Sequence, residues 1–122
     1  MAERRVVVNL TSGLGDDAEK VTIAFLVANA AAESGRRVAM FLTKDAVRLA
    51  LPGEAKGEAC AGCPPLERLF QQYADNGGEL LVCPICFNSR GLEGSELVGN
   101  ARIAGATPLW EWIDDGATVF SY

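Results

Sequence analysis

The chain has 122 residues, 49% hydrophobic and 22% charged, with a formal net charge of -5. That length fits a single domain over residues 1–122, apolar enough to bury a core without metal or disulfide staples. The acidic balance and the lack of any Lys/Arg cluster argue against nucleic acid and anionic membrane surfaces as partners, and no apolar run reaches the ~20 residues of a bilayer span.

Histidine is absent. Cys–His nucleophile pairs, histidine zinc ligands and histidine general bases are therefore excluded. The charged start, Met1-Ala2-Glu3-Arg4-Arg5, leads directly into a strand and lacks a secretory pattern. The expectation is a cytoplasmic protein, in which four cysteines point to catalysis or metal binding more than to disulfide staples.

Residues 5–10 form a continuous β-branched run, the signature of a buried parallel strand. A turn rich in Gly and Asp follows. Residues 18–34 then carry Val21, Ala24, Phe25, Ala28 and Ala32 at helical spacing, with Asp16 or Asp17 as cap and Gly35 as stop. Residues 37–42 read as a second strand, and Thr43 caps a shorter helix that runs to Leu51. This βαβα rhythm predicts a parallel sheet. Residues 54–64 are loop-like and contain Cys60 and Cys63. Pro65 opens a helix to Asn76 with Leu66, Leu69, Phe70 and Tyr73 on one face. Residues 79–82 are a third strand. After an irregular stretch, residues 102–104 form a short strand, and Thr107-Pro108 begins a helix to Asp115 that buries Leu109, Trp112 and Ile113. Trp110 and Trp112 face different ways, one toward the core and one outward or at an interface. Residues 117–122 form a last strand. The whole predicts an α/β, flavodoxin-like, three-layer domain: a mostly parallel five-stranded sheet with helices on both faces.

The chemistry centres on Cys83-Pro84-Ile85-Cys86. In open α/β sheets, function collects beyond the carboxyl ends of strands. Cys83 falls at such an end, and Pro84 suits the first turn of a helix. Helix N-termini favour thiolates and create nucleophiles without histidine. Cys86 lies one turn on, where it resolves a disulfide, shares a persulfide or is inert. Cys60-x-x-Cys63 is expected near the same sheet edge, because the helix opened by Pro65 runs down to the strand at Glu79. The spacing of the two pairs also fits a zinc site of Cys60, Cys63, Cys83 and Cys86. Ser12-Gly13-Leu14-Gly15-Asp16-Asp17 lacks a phosphate-loop pattern and reads as a capped turn.

The ordered set of features resembles the DsrE/DsrF-like family of small sulfur-handling proteins. The resemblance rests on the opening strand and glycine turn, the Ala-rich helix to Gly35, and Val38-Ala39-Met40-Phe41-Leu42. It continues through Pro65-Leu66, Asn76-Gly77-Gly78, Leu81-Val82-Cys83-Pro84-Ile85-Cys86 with Arg90-Gly91, and Gly105-Ala106-Thr107-Pro108 to Phe120. It implies a doubly wound, DsrE-like α/β fold, a homo-oligomer (trimer or hexamer), and sulfur donor and acceptor proteins as partners. It also implies a persulfide on the cysteine that follows a strand and precedes Arg-Gly, which here is Cys83, and a sulfurtransferase or sulfur-carrier role without a cofactor. Cys86 departs from the single-cysteine members, and Cys60 and Cys63 have no counterpart in the sulfur-relay pattern. A dithiol redox protein using Cys83 and Cys86, and a four-cysteine zinc protein, stand as alternatives.

Overall fold

The β-branched run lies near the middle of the sheet. In the computed structural model, which describes residues 4–114 and 116–122, strand β1 (Arg5–Leu10) is flanked on both sides. It pairs in parallel with β2 (Arg37–Leu42), Arg5 opposite Arg37 through Leu10 opposite Leu42. On its other side it pairs in parallel with β5 (Thr118–Ser121). Strand β3 (Glu79–Val82) continues the sheet beyond β2, and β4 (Ala101–Ile103) beyond β3. The order is β4-β3-β2-β1-β5, and every pairing is parallel.

Alternation along the strands divides the core in two. Val6, Val8 and Leu10 face one side with Val38, Met40, Leu42, Leu80 and Val82. That side is covered by α1 (Leu14–Glu33), a 3-10 segment (Lys44–Ala50), α2 (Leu66–Asp75) and α3 (Pro84–Ser89). Val7, Ala39 and Leu81 face the other side, covered by α4 (Ala106–Ile113) through Trp112. The three expected layers are present, with the helices unequally shared. Helices α1 and α2 lock together by aromatic contact: Phe25 stacks on Phe70 with centroids 4.2 Å apart and meets Tyr73 edge-on at 5.5 Å.

Three local expectations are refined. Helix α1 starts at Leu14, before both aspartates. Asp16 accepts the Gly13 N–H, while Asp17 leaves helical geometry and accepts the Lys20 N–H, so each aspartate caps a turn. The helix expected after β2 is a tighter 3-10 segment. Residues three apart eclipse in such a helix, and Arg48 accordingly lies over Asp45, Nε to Oδ1 3.5 Å. Helix α4 begins at Ala106 with Gly105, not Thr107, as its cap. The two tryptophans divide as expected: Trp112 is buried and Trp110 exposed. Arg5 and Arg37 both lie over the Trp112 ring, at 5.4 and 5.2 Å from its centroid. Residues 1–3 and Asp115, the expected end of the last helix, lie outside the described residues.

Candidate functional site

Three consecutive loops meet beyond the carboxyl ends of β1, β2 and β3, and Cys83 stands in the third. Strand β3 ends at Val82, but the Cys83 N–H still donates to the Leu42 carbonyl at 3.0 Å, extending the ladder by one residue. The Cys83 carbonyl then accepts the Phe87 N–H at 3.0 Å, the first bond of α3. Cys83 is thus both the end of the strand and the N-cap of the helix, with Pro84 at the first helical position. Its thiol is free and half-buried.

Cys86 lies one turn along α3, also free and half-buried, against the main core. Its carbonyl accepts the Ser89 hydroxyl at 3.1 Å and Arg90 Nη1 at 3.2 Å. Arg90 is the C-cap of α3. Gly91 follows with φ +69, and the Leu92 N–H reaches back to the Phe87 carbonyl. This closure needs a left-handed residue, which accounts for glycine after Arg90.

This helix is fixed in place by Arg90 and by Asp45, a residue of the 3-10 segment that the sequence did not single out. Arg90 Nε donates to Asp45 Oδ1 at 2.7 Å, from the turn after β2. This bond, aided by Arg48, holds the Asp45 carboxyl below its ordinary range. Gly13, in the turn after β1, backs the same residue. A β-carbon there would lie 2.7 Å from the Asp45 carbonyl oxygen, so only glycine lets the loops approach. The available signal was position: Asp45 and Arg90 are opposite charges, each following a strand whose carboxyl end lies at one sheet edge. Ile85, between the two thiols, is 78% exposed, a large apolar side chain in solvent at the rim.

Cys60 and Cys63 are elsewhere. They lie in the connection before α2, with their sulfurs in bonding contact and Cα atoms 5.1 Å apart. Cys60 Sγ neighbours Thr22 on α1, beyond the break in helical geometry at Asp17. Among the described residues, no three Cys, Asp or Glu side chains converge as a metal cage, so the four cysteines do not assemble the zinc site that their spacing suggested. An open pocket of ≈ 690 Å³ between α2 and the loop after the 3-10 segment is lined by Phe25, Phe70 and Glu54 but by no cysteine. Burial raises the Glu54 carboxyl above its usual range, against the pull of Arg48.

No helix among the described residues is long and apolar enough to cross a membrane. Among solved structures, the ychN protein of E. coli superposes with a TM-score of 0.80 at 21% identity, over 99% of this chain and 100% of that one. A protein of unknown function from Methanobacterium thermoautotrophicum superposes at 0.71 and 15% identity, over 98% and 100%. Both share the fold. In sequence, the chain is 31% identical over 103 residues to an uncharacterised protein of Methanocaldococcus jannaschii, covering 84% of this chain but 37% of that relative. A second uncharacterised relative, from Methanopyrus kandleri, is 26% identical over 104 residues, 85% of this chain and 83% of its own length. The model of one family matches residues 5–122, nearly the whole chain. Together with the parallel sheet and the cysteine turn at its edge, this match settles the assignment: the chain belongs to the DsrE/DsrF-like family.

Proposed function

We propose that the chain carries sulfur as a persulfide on Cys83, passing it from a donor protein to an acceptor protein. The observation that carries this reading is the placement of Cys83: a free, half-buried thiol that ends β3 and caps α3. Membership of a sulfur-handling family supports it. The Cys83 thiolate attacks the outer sulfur of a donor persulfide, R–S–SH. A bond forms between Cys83 Sγ and that sulfur, the donor S–S bond breaks, and the electron pair leaves on the donor thiolate. An acceptor thiolate then removes the terminal sulfur by the same exchange.

The exposed Ile85 supports contact with those partner proteins at this rim. A cytoplasmic homo-oligomer, trimer or hexamer, belongs to the same reading. Exposed Trp110, Val119 and Phe120 offer apolar surface for subunit contact. A second reading rests on Cys86, a free thiol one turn from Cys83: the two would then work as a dithiol, with Cys86 resolving a disulfide on Cys83.

Intact mass after incubation with a persulfide donor tests the first reading. The expected result is a gain of one sulfur atom on the peptide bearing Cys83, absent in Cys83→Ser and retained in Cys86→Ser. An adduct that persists in Cys83→Ser rejects it. A Cys83–Cys86 disulfide after mild oxidation, with no sulfur gain, favours the dithiol.

A further inference from the structure

The bonded cysteine pair lies in the connection before α2, outside the turn that carries Cys83. Backbone geometry holds it together. The Cys63 N–H donates to the Cys60 carbonyl at 2.9 Å, making the turn, and the Leu66 N–H donates to the Glu58 carbonyl at 3.0 Å, tying that turn to the start of α2. Both sulfurs are thereby kept within reach of each other by main-chain hydrogen bonds.

As a structural staple the pair makes little sense. The bridge closes a loop of four residues, where a cross-link restricts the unfolded chain least. It joins two positions of one connection and no two elements of the fold. The main core is closed by strands and helices that do not depend on it.

The surroundings of the two sulfurs fit a pair that changes state. Cys60 Sγ lies 3.9 Å from Thr22 Oγ1. The Thr22 hydroxyl proton is already given to the Ala18 carbonyl at 2.8 Å, so its oxygen offers Cys60 a lone pair. A disulfide sulfur has no hydrogen to donate there, whereas a thiol does. Cys63 Sγ lies 3.9 Å from the carbonyl of exposed Ala61, and both cysteines are half-buried. One sulfur thus packs against a buried hydroxyl and the other against an exposed turn.

From this we infer that Cys60–Cys63 is a redox-active disulfide, a second thiol-exchange site separate from Cys83 and Cys86. Its substrates are thiols: small monothiols or exposed cysteine thiols of another protein. An incoming thiolate attacks Cys63 Sγ. The Cys60–Cys63 bond breaks as the mixed disulfide forms, and the electron pair leaves on Cys60, which takes a proton from solvent and donates it toward Thr22 Oγ1. A second substrate thiolate attacks the substrate sulfur of the mixed disulfide and releases Cys63, which is protonated in turn. Two thiols are oxidised to one disulfide, and two electrons and two protons pass to the pair. The reverse reaction reduces a disulfide.

The test equilibrates the full chain with graded ratios of reduced and oxidised dithiothreitol, traps thiols by acid quench and alkylation, and reads the peptide bearing Cys60 and Cys63 by mass. The same peptide is read in the unaltered chain and in a Cys83→Ser/Cys86→Ser chain, so neither preparation alone decides the result. A reversible two-electron transition, with the same midpoint from both directions and an unchanged far-UV circular dichroism spectrum, is expected in both. In the second arm, reduced chains meet an aromatic disulfide reagent. Cys60→Ser is expected to hold a lasting mixed disulfide on Cys63, while Cys63→Ser reacts at Cys60 slower by roughly tenfold or more, as access dictates. A pair that stays bonded until the fold itself is lost, or stays reduced at every ratio, overturns the inference. Equal reaction of the two variants overturns the assignment of Cys63 as the attacked sulfur. The outcome is independent of any sulfur adduct on Cys83.

Discussion

Two Cys-x-x-Cys pairs with the same spacing occur in this chain, and the fold treats them differently. Cys83 has its N–H on one strand and its carbonyl on the first turn of a helix, and that helix is held by Arg90 to Asp45. Cys60 and Cys63 occupy a connection without helix or strand, shaped by the turn bond between them and the Glu58–Leu66 tie. The first pair is free and the second bonded. The spacing of two thiols therefore says little about their chemistry. The backbone that delivers them decides whether the two sulfurs stand apart, at a strand end and along a helix, or meet within one turn.

The comparison can be broken in several places. The largest effect expected is complete loss of the sulfur adduct in Cys83→Ser, with none in the Cys60→Ser/Cys63→Ser double variant. If both chains lose the adduct, the two pairs are one system. Next comes Gly13→Ala, which drives a methyl group into the Asp45 backbone. We expect about 1–3 kcal/mol of destabilisation in urea unfolding, the usual range for overpacking, together with slower alkylation or sulfur loading of Cys83. Unchanged stability would show that the three loops are not mutually supporting.

The Cys60→Ser/Cys63→Ser chain should lose less, at most about 2 kcal/mol for a loop this short. A larger loss would make the bridge a structural staple after all. The smallest effect is expected at Asp45→Asn. The Arg90–Asp45 pair is partly exposed, and such pairs contribute about 1 kcal/mol or less. Because the native carboxyl sits below its ordinary range, its contribution is fully present above the pKa of the unfolded chain's aspartate, ~3.9. It disappears as pH falls through the lower native value. The unaltered chain should therefore show a steeper fall in stability than Asp45→Asn across that acid window, and the two should converge below it.

Much of this architecture is legible in local pattern. The run Leu80-Leu81-Val82 followed by Cys83-Pro84 places a strand, its end and a helix start within five residues, and the structure has each boundary there. Phe25, Phe70 and Tyr73 were expected on buried faces and form the aromatic contact between α1 and α2. What stayed hidden is long-range. Asp45 and Arg90 are 45 residues apart, and no periodicity links them. Gly13 looked like an ordinary turn glycine, because its need for space comes from a neighbour in another loop. The surroundings of Cys60 are hidden for a related reason: its contact with Thr22 depends on how α2 packs on α1, as through Phe25 and Phe70.

The placement of β1 between β2 and β5 has a consequence for how the chain acquires its shape. Thr11 and Tyr122, which close the β1–β5 end of the sheet by a main-chain bond, are 111 residues apart in sequence. Pairings so distant carry a large loop-closure cost, because the entropy of closing the intervening chain is lost before any contact repays it. Until β5 arrives, a strand of valines presents an open backbone edge, the surface on which nascent chains aggregate or meet chaperones. The four-strand arrangement from β1 to β4, which already includes the Cys83 turn, can be complete while that edge is still bare. The turn that carries Cys83 lies wholly within those four strands and needs no contact with β5.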